Sequence, residues 1–429
     1  MLLKGAQLAT FDPPAVEPAD LRIDGETIAE RGPALLPQAD EDVLDLSGAL
    51  VFPGLVNAHT HLYSALARGM PGPPEPPRSF LEILERVWWR LDRALDEESI
   101  YLSGLVGAVE AALSGVTLLV DHHASPSFIR GSLPALRRAV EEVGLRSVLC
   151  YETTDRNGSE GRDLGVEANR QFLTQGTTRL TRGLVGAHAS FTLGDESLGR
   201  LAAVVRQTGS GLHIHVAEDR ADVEDCRRRF GCSLPERLAR HGLLGPRTLL
   251  AHGVHLSSRE ITSVDETGAF FAHNPRSNMN NAVGRAPVEA MARAALGTDG
   301  MDQDVLAEAR AAFLKLRDAG LPDAAAHALR LLSGGQRLAS ALFGQSFGAL
   351  TPGAPADLVV LDYRPPTPLH SGNLAGHLLF GIDRSHVRSV MVAGRFVVRD
   401  RRLVTVDAGA VFARAREAAP RLWSRAERP

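Results

Sequence analysis

Short apolar runs alternate with amphipathic stretches along the middle of the chain, between Val51 and about Ala341. The stretches between the runs place apolar residues at helical spacing, for example over 79–95, 98–114 and 133–144. Eight apolar runs can be counted, at 50–59, 115–123, 146–154, 183–191, 211–218, 248–256, 268–275 and 294–300. Eight successive strand–helix units predict an α/β fold in which a parallel sheet closes into a (β/α)8 TIM-like barrel.

The two ends of the chain have a different pattern, in which apolar and polar residues alternate between turn residues. Such alternation is typical of antiparallel strands. We expect 1–52 and 347–429 to pair into one small flanking β-sandwich with a terminal helix, and 53–346 to form the barrel. Proline excludes 70–79 from helix and central strand, so we expect a loop over the barrel mouth there rather than a linker.

Composition narrows the class of protein. The chain has 429 residues, 44% of them hydrophobic, and its net charge of -4 provides no basic field for nucleic acid or an anionic membrane. No apolar run has the length of a membrane span or of a secretion signal. The three cysteines lack C-x-x-C spacing, which indicates a reducing compartment. We therefore expect a cytoplasmic protein whose partner is a small molecule.

Residues with metal-binding or acid–base side chains stand at the ends of four of the eight runs. They are His59 and His61 in run one, His215 and Glu218 in run five, His252 in run six and Asp299 in run eight. The carboxyl ends of barrel strands meet at one face, where barrel enzymes have their active sites. An isolated H-x-H pair is also typical of a core histidine beside a polar strand end, but four runs together indicate a function.

The donor types indicate a divalent metal ion. Three imidazoles and one carboxylate, from His59, His61, His215 and Asp299, suit zinc, with iron(II) or manganese also compatible with these ligands. A second ion in barrels of this kind usually needs a bridging ligand, often a carbamylated lysine at the end of run four. The two lysines of the chain lie far from that position in the sequence. We therefore expect one metal ion per chain.

Five segments at the predicted strand ends carry a resemblance to a known family. They are "PGLVNAHTH", "HVAE", "AHGVHL", "HNPRSNMNN" and "GTDG", in this order. Through them the chain resembles the amidohydrolase superfamily over nearly its whole length, in the branch of mononuclear metal-dependent deaminases and chlorohydrolases. Within that branch, "ALARGM", "WWRLDRALDEE", "VDHHASP" and "HNPRSNMNNAVGRAPVE" are most similar to the SsnA-type aminohydrolases.

The resemblance implies a role for each of these residues. His59, His61, His215 and Asp299 correspond to metal ligands, Glu218 to a proton shuttle and His252 to the residue that positions the metal-bound water. Asp299 would also assist the reaction while it binds the metal. The implied reaction is attack of that water on the C–NH2 carbon of a small N-heterocycle of the purine, pteridine or pyrimidine type, which releases ammonia.

Other polar residues near the strand ends are candidates for substrate contact. His188, at the end of run four, resembles a substrate-contacting histidine of related deaminases, with a structural role as the alternative. His122, His123 and Asn278 are expected either to line the pocket or to tie down loops. A helical pattern contains Trp88 and Trp89, for which packing or a contact between subunits is the expectation, so a homodimer stays open.

Three alternatives to this proposed reaction and substrate class are considered. The same water attack would serve a chlorohydrolase or a triazine-type hydrolase, because any leaving group on an amidine-like carbon is suitable. A guanine deaminase is disfavoured, since those proteins typically carry an arginine motif where this chain has "HASFT". A non-catalytic amidohydrolase-like scaffold is disfavoured as well, because every ligand and Glu218 are present.

Overall fold

The N-terminal end of the chain forms five strands in the computed structural model, which describes residues 1–427. They are β1 (Leu2–Phe11), β2 (Pro14–Asp24), β3 (Thr27–Gly32), β4 (Val43–Asp45) and β5 (Leu50–Pro53). Strands β1, β2 and β3 are antiparallel in sequence order, whereas β4 and β5 run parallel to β1. This end therefore contains the antiparallel strands that the alternating pattern predicts.

Nine strands follow in the middle of the chain. They are β6 (Leu55–Thr60), β7 (Val116–His123), β8 (Arg146–Tyr151), β9 (Thr181–Gly183), β10 (Val185–Ala189), β11 (Leu212–Val216), β12 (Leu249–His252), β13 (Phe270–His273) and β14 (Ala294–Leu296). Each predicted run contains a strand, and β9 is a short addition that the pattern did not predict. All nine belong to parallel sheets.

The first predicted run, 50–59, is not one strand, and this prediction was wrong. Gly54 divides it into β5 and β6, which belong to different sheets. A Cβ atom at Gly54 would lie 2.1 Å from Oγ1 of Thr117. Glycine therefore allows the chain to pass close to β7 as it crosses from one sheet to the other.

Helices connect the parallel strands. They are α1 (Phe80–Ile83), α2 (Trp89–Ala94), α3 (Glu97–Leu113), α4 (Ser132–Val143), α5 (Gly158–Gln171), α6 (Asp195–Thr208), α7 (Arg220–Phe230), α8 (Leu234–Arg240), α9 (Ser258–Asp265), α10 (Pro275–Asn280), α11 (Val305–Asp318) and α12 (Ala324–Phe343). A wider π-helical turn at Leu84–Trp88 joins α1 to α2, so the predicted helix over 79–95 is irregular. The segment 70–79 contains neither helix nor strand, as its prolines predict.

The parallel strands form two sheets, in the orders β6-β7-β8-β9 and β10-β11-β12-β13-β14. Isolated parallel bridges join Thr60 to Asp299 and Thr153 to Ala187, and so link the two sheets at both sides. The prediction of an α/β fold with parallel strands is confirmed. Side chains alternate along β11: Leu212, Ile214 and Val216 pack in the large core beneath the helices, while the two histidines between them face the other way.

The C-terminal end adds four strands and two helices. They are β15 (Leu358–Leu361), β16 (Val387–Val392), β17 (Arg395–Arg399), β18 (Arg402–Leu403), α13 (Leu374–Phe380) and the terminal helix α14 (Ala408–Ala426). Because β15 pairs antiparallel with β5, both chain ends join one nine-stranded sheet, as expected, while the sandwich stays a prediction. No helix in the described part of the chain has the length and apolar character needed to cross a membrane.

Candidate active site

Four donor atoms meet where β6, β11 and β14 end. The Nε2 atom of His61 lies 3.2 Å from Nε2 of His215 and 3.0 Å from Oδ1 of Asp299. The Nε2 atom of His59 lies 3.4 Å from the same Asp299 oxygen. Donors that share one tetrahedral ion at about 2.0–2.2 Å stand about 3.3–3.6 Å apart. The three distances measured among the four predicted ligands are close to this spacing, and the donor atoms of His59, His215, His252 and Asp299 all lie within 4.8 Å of one another.

Backbone carbonyls fix two of the imidazoles. The Nδ1 atom of His61 donates to the carbonyl oxygen of His122 at 2.6 Å, and Nδ1 of His215 donates to that of His188 at 2.8 Å. Since a carbonyl oxygen only accepts, Nδ1 carries a proton, and Nε2 is the atom that faces the other donors. Metal-binding histidines are commonly held by such hydrogen bonds.

The surroundings of His59 and Asp299 indicate whether these residues are suited to a metal ion. Its ring is fully buried, and Nδ1 pairs with Nε2 of His213 at 2.9 Å. Its Nε2 atom makes no hydrogen bond within residues 1–427, and burial lowers the pKa of His59 to about 3, so the ring is neutral. Burial would raise the pKa of Asp299, but the neighbouring imidazoles of His59 and His61 hold it well below its usual value. The neutral imidazole of His59 and the carboxylate of Asp299 fit a divalent cation, whereas Asp299, against the effect of burial, raises the pKa of His61 to about 9, so His61 would release a proton when a cation binds.

Glu218 and His252 stand beside the four donors. Oε2 of Glu218 lies 3.5 Å from Nε2 of His252, and this nitrogen lies 4.0 Å from Oδ2 of Asp299. Burial raises the pKa of Glu218 to about 7, close to the pH at which a group that both takes and returns a proton works best. We call the four donors together with Glu218 the metal wall of the cavity.

The backbone is strained at the strand ends that carry the metal wall. Ala217, His252 and Asp299 have φ angles of 49°, 75° and 54°. Positive φ is uncommon for residues other than glycine and costs on the order of 1–3 kcal/mol when the residue is held there. The strain turns the chain sharply after β11, β12 and β14, which directs Glu218 and Asp299 towards the cavity.

The short helix α10 fixes three of these side chains, a role that the sequence pattern did not predict. Ser277 donates to Oδ2 of Asp299, Oδ1 of Asn278 lies 2.8 Å from Nδ1 of His252, and Asn281 donates to Oε1 of Glu218 at 3.2 Å. The anchor of α10 is Arg276, which pairs with the fully buried Glu308 at 2.6 Å. The run of amides in "SNMNN" is the signal from which this helix could have been identified.

Of the four residues predicted to contact substrate, the structure places one in the cavity lining. His188 lines the cavity, and its Nδ1 atom pairs with the hydroxyl of Thr192 at 2.8 Å. His122, His123 and Asn278 lie behind the lining, where each is almost fully buried. The Nε2 atom of His122 donates to a backbone carbonyl at 3.0 Å, and that of His123 pairs with a serine hydroxyl at 2.9 Å. These hydrogen bonds hold strands and loops together.

A further part of the cavity lining was not anticipated as a group. Trp88, Trp89, Asp92 and Glu152 line it, and Arg156 lies behind them; we call these five residues the helix wall. The guanidinium of Arg156 stands 4.4 Å from the centre of a Trp89 ring. The sequence predicts packing or a subunit contact for the two tryptophans, whereas the structure places both in the cavity lining.

The chain is similar to known proteins over most of its length. A profile described as "Amidohydrolase family" matches residues 50–397, which include every residue of both walls. The chain belongs to the amidohydrolase family. The predicted resemblance is thus confirmed.

Two curated relatives of this amidohydrolase cover almost its whole length. A 5'-deoxyadenosine deaminase from Methanosarcina mazei is 30% identical over 438 residues, 99% of both chains. A 5-methylthioadenosine/S-adenosylhomocysteine deaminase from Moorella thermoacetica is 32% identical over 432 residues, 96% of this chain and 97% of the relative. Both names describe hydrolases of carbon–nitrogen bonds other than peptide bonds, which confirms the predicted enzyme class.

Solved structures of amidohydrolase fold are similar as well. An adenosine deaminase from Xanthomonas campestris with bound zinc has a TM-score of 0.84 and 24% identity, covering 99% of this chain and 98% of its own. An atrazine chlorohydrolase from Arthrobacter aurescens complexed with zinc has a TM-score of 0.84 and 22% identity, covering 98% of this chain and 100% of its own. At identities of 22% and 24%, the structural likeness establishes the fold alone.

Proposed function

We propose that this amidohydrolase is a metal-dependent aminohydrolase that replaces the amino group of a 6-aminopurine nucleoside by water and releases ammonia. The observation that carries the proposal is the metal wall. His61 lies 3.2 Å from His215 and 3.0 Å from Asp299, His59 lies 3.4 Å from Asp299, and a buried carboxyl group stands beside these donors. Such a site serves hydrolysis at an electron-poor ring carbon.

His59, His61, His215 and Asp299 would hold one divalent cation per chain. Zinc is the proposed metal, which the zinc in two structures of the same fold supports, and iron(II) is the alternative. A cation held there supplies the Lewis acidity that makes water a nucleophile at neutral pH.

The residues of the chain then divide the proton transfers. Glu218, with its pKa raised to about 7 by burial, accepts the proton of the attacking water and returns it to a ring nitrogen. His252, which lies 3.5 Å from Glu218 and is held by Asn278 at 2.8 Å, orients the water. Burial of both side chains keeps bulk water from competing for these protons.

The nucleoside part of the proposal has separate support. The curated relatives that match the chain almost end to end are named as deaminases of 5'-modified adenosines. His188 and aromatic side chains line the cavity, and an aromatic lining suits a flat heterocycle. We propose His188 as the residue that contacts the ring. Hydrolysis of triazines, the runner-up from the sequence, belongs in the same assay.

The finer arrangement of the fold is part of the proposal. Bridges at both sides of the two parallel sheets support a closed (β/α)8 barrel over 53–346. A separate apolar core formed by strands from both chain ends supports a flanking sandwich made of 1–52 and 347–429. The three cysteines are free and buried, which supports a cytoplasmic location. A homodimer stays a prediction.

Ammonia release tests the function. Protein loaded separately with zinc and with iron(II) is assayed with adenosine, 5'-deoxyadenosine, 5'-methylthioadenosine, adenine, guanine, cytosine, a pterin, melamine and atrazine. For atrazine, whose leaving group is chloride, chloride release is measured as well. We expect release from the adenosines, and none from the matched Glu218→Gln protein. Turnover of melamine or atrazine alone would favour the runner-up, and the absence of any metal-dependent turnover would contradict an aminohydrolase acting on these rings.

A further inference from the structure

Asp92 is a buried carboxylate in the cavity lining without a full set of partners. Its side chain is 3% exposed, and within residues 1–427 its Oδ1 atom has no hydrogen-bond partner. Its other oxygen, Oδ2, lies 3.5 Å from a nitrogen of Arg156. A buried acceptor that lacks a donor is costly, and more so if it is charged. Asp92 Oδ1 is therefore suited to accept a hydrogen bond from a ligand in the cavity.

Arg156 cannot supply that partner, because another carboxylate already engages it. The same Nη2 atom that faces Asp92 lies closer to Glu152, at 3.1 Å, and Nε bonds to the hydroxyl of Thr154 at 3.2 Å. One guanidinium thus faces two buried carboxylates. Burial without a full counter-charge raises the pKa of Asp92 to about 7. Asp92 therefore lacks a full counter-charge on the helix wall.

The rest of the cavity lining favours a cation in this position. Six acidic residues line the cavity, and among the lining residues of the described chain there is neither lysine nor arginine. Trp88, Tyr63, Phe80 and Phe191 add aromatic rings to the lining. An aromatic face attracts a cation by about 0.5–2 kcal/mol. Arg156 covers Trp89, at 4.4 Å, and no arginine or lysine of the described chain is found over Trp88.

We propose that the helix wall binds a positively charged group of the substrate, an ammonium or amidinium, through Asp92 Oδ1 and the aromatic lining. The metal wall then acts on the amino-substituted ring of the same substrate. A substrate with a phosphate or another anionic substituent at this end is excluded by the same charges. The proposal rests on the proposed function only in naming the ligand as the substrate.

Binding of small probes tests the proposal without turnover. Zinc-loaded protein is titrated calorimetrically with benzylamine, benzyl alcohol and benzoate at about pH 8, where the amine is protonated and Asp92 is ionised. These probes share the aromatic ring and differ in charge. We expect benzylammonium to bind at least about tenfold more tightly than benzyl alcohol, and benzoate to bind most weakly.

Two isosteric substitutions identify which carboxylate is responsible. Asp92→Asn keeps an acceptor but removes the charge, so it should abolish the preference for the amine. Glu218→Gln removes a charge from the metal wall and should keep the preference. Circular dichroism and zinc content check that both variants are folded. Equal binding of amine and alcohol, no binding of the amine, or a preference that survives Asp92→Asn would each overturn the proposal, whatever the ammonia assay shows.

Discussion

On the metal wall each predicted metal ligand makes a hydrogen bond with a neighbouring residue. On the helix wall two polar atoms have no partner within residues 1–427. His61 and His215 are fixed by carbonyls at 2.6 and 2.8 Å, so that their Nε2 atoms face one another. On the other side, Oδ1 of Asp92 and Nε1 of Trp89 are buried without a hydrogen bond. The first wall is complete except for one ion, and the second is complete only with a ligand.

This difference separates residues suited to catalysis from residues suited to substrate recognition. Donors fixed to about 0.5 Å are suited to an ion and to proton transfer, because neither tolerates displacement. Unpartnered polar groups beside aromatic rings are suited to selecting a substrate, because a wrong substituent leaves them unpaired. Substitutions on the metal wall should therefore change kcat or metal content, and those on the helix wall should change which ligand binds.

The largest effect is expected from Glu218→Gln. Glutamine keeps the size of the side chain and its hydrogen bond to Asn281, but it cannot accept a proton. General acid–base groups contribute about 10²–10⁴-fold, and Glu218 handles both transfers, so we expect kcat to fall by at least about a hundredfold. Single-turnover kinetics together with zinc analysis provide the measurement.

The matched variant is Asp299→Asn, which should lose zinc as well as rate because Asp299 is a donor. If Glu218→Gln is itself free of zinc, or keeps more than about a tenth of kcat, the proton-shuttle role is wrong and the base must be sought at His252 or Asp299.

A smaller effect is expected from Ser277→Ala on α10. Its hydroxyl donates to Oδ2 of Asp299, so its loss frees the carboxylate to rotate. Removal of such an outer hydrogen bond typically weakens metal binding about 10–100-fold. Competition with a chelator measures the zinc affinity, and Ser277→Thr, which keeps the hydroxyl, should restore most of it. Equal zinc affinity in the unsubstituted protein and both variants would mean that Ser277 on α10 does not support the metal wall.

The smallest effect is expected from His188→Ala. His188 lines the cavity but its backbone carbonyl, which the substitution retains, is what holds His215 at 2.8 Å. Loss of one hydrogen bond to substrate costs about 0.5–1.5 kcal/mol, so we expect kcat/KM to fall up to about tenfold while zinc content is unchanged. Loss of zinc would place His188 among the ligands, and unchanged kinetics would leave it a structural residue.

The metal wall could be predicted from the sequence because strand periodicity is local. His59 and His61 two residues apart, and Asp299 just after an apolar run, are enough to place donors at one end of a parallel sheet. The helix wall depends on how α2 packs across the cavity, which no local pattern specifies. Asp92 in "WWRLDRAL" has the pattern of an exposed helical carboxylate, although the side chain is 3% exposed.

One error and one open alternative have a common physical cause. The sequence left open whether His122 and His123 line the pocket or tie down loops, and both rings are fully buried and used in hydrogen bonds. The run at 50–59 was predicted as one strand because apolar residues continue across Gly54. In both cases the neighbouring strands decide where the side chains lie, and not the pattern of apolar and polar residues within the strand.

The number of zinc ions bound per chain tests most directly whether the metal wall binds metal and the helix wall binds substrate. Glu152 and His188 offer donor atoms within 4.8 Å of a donor atom of His215, so a second ion would have its place there. Elemental analysis of protein saturated with zinc and passed through a desalting column should give about one zinc per chain, unchanged in His188→Ala and absent in Asp299→Asn. Two ions per chain in the unsubstituted protein, falling to one in His188→Ala, would contradict the account, because the helix wall would then bind metal and not substrate.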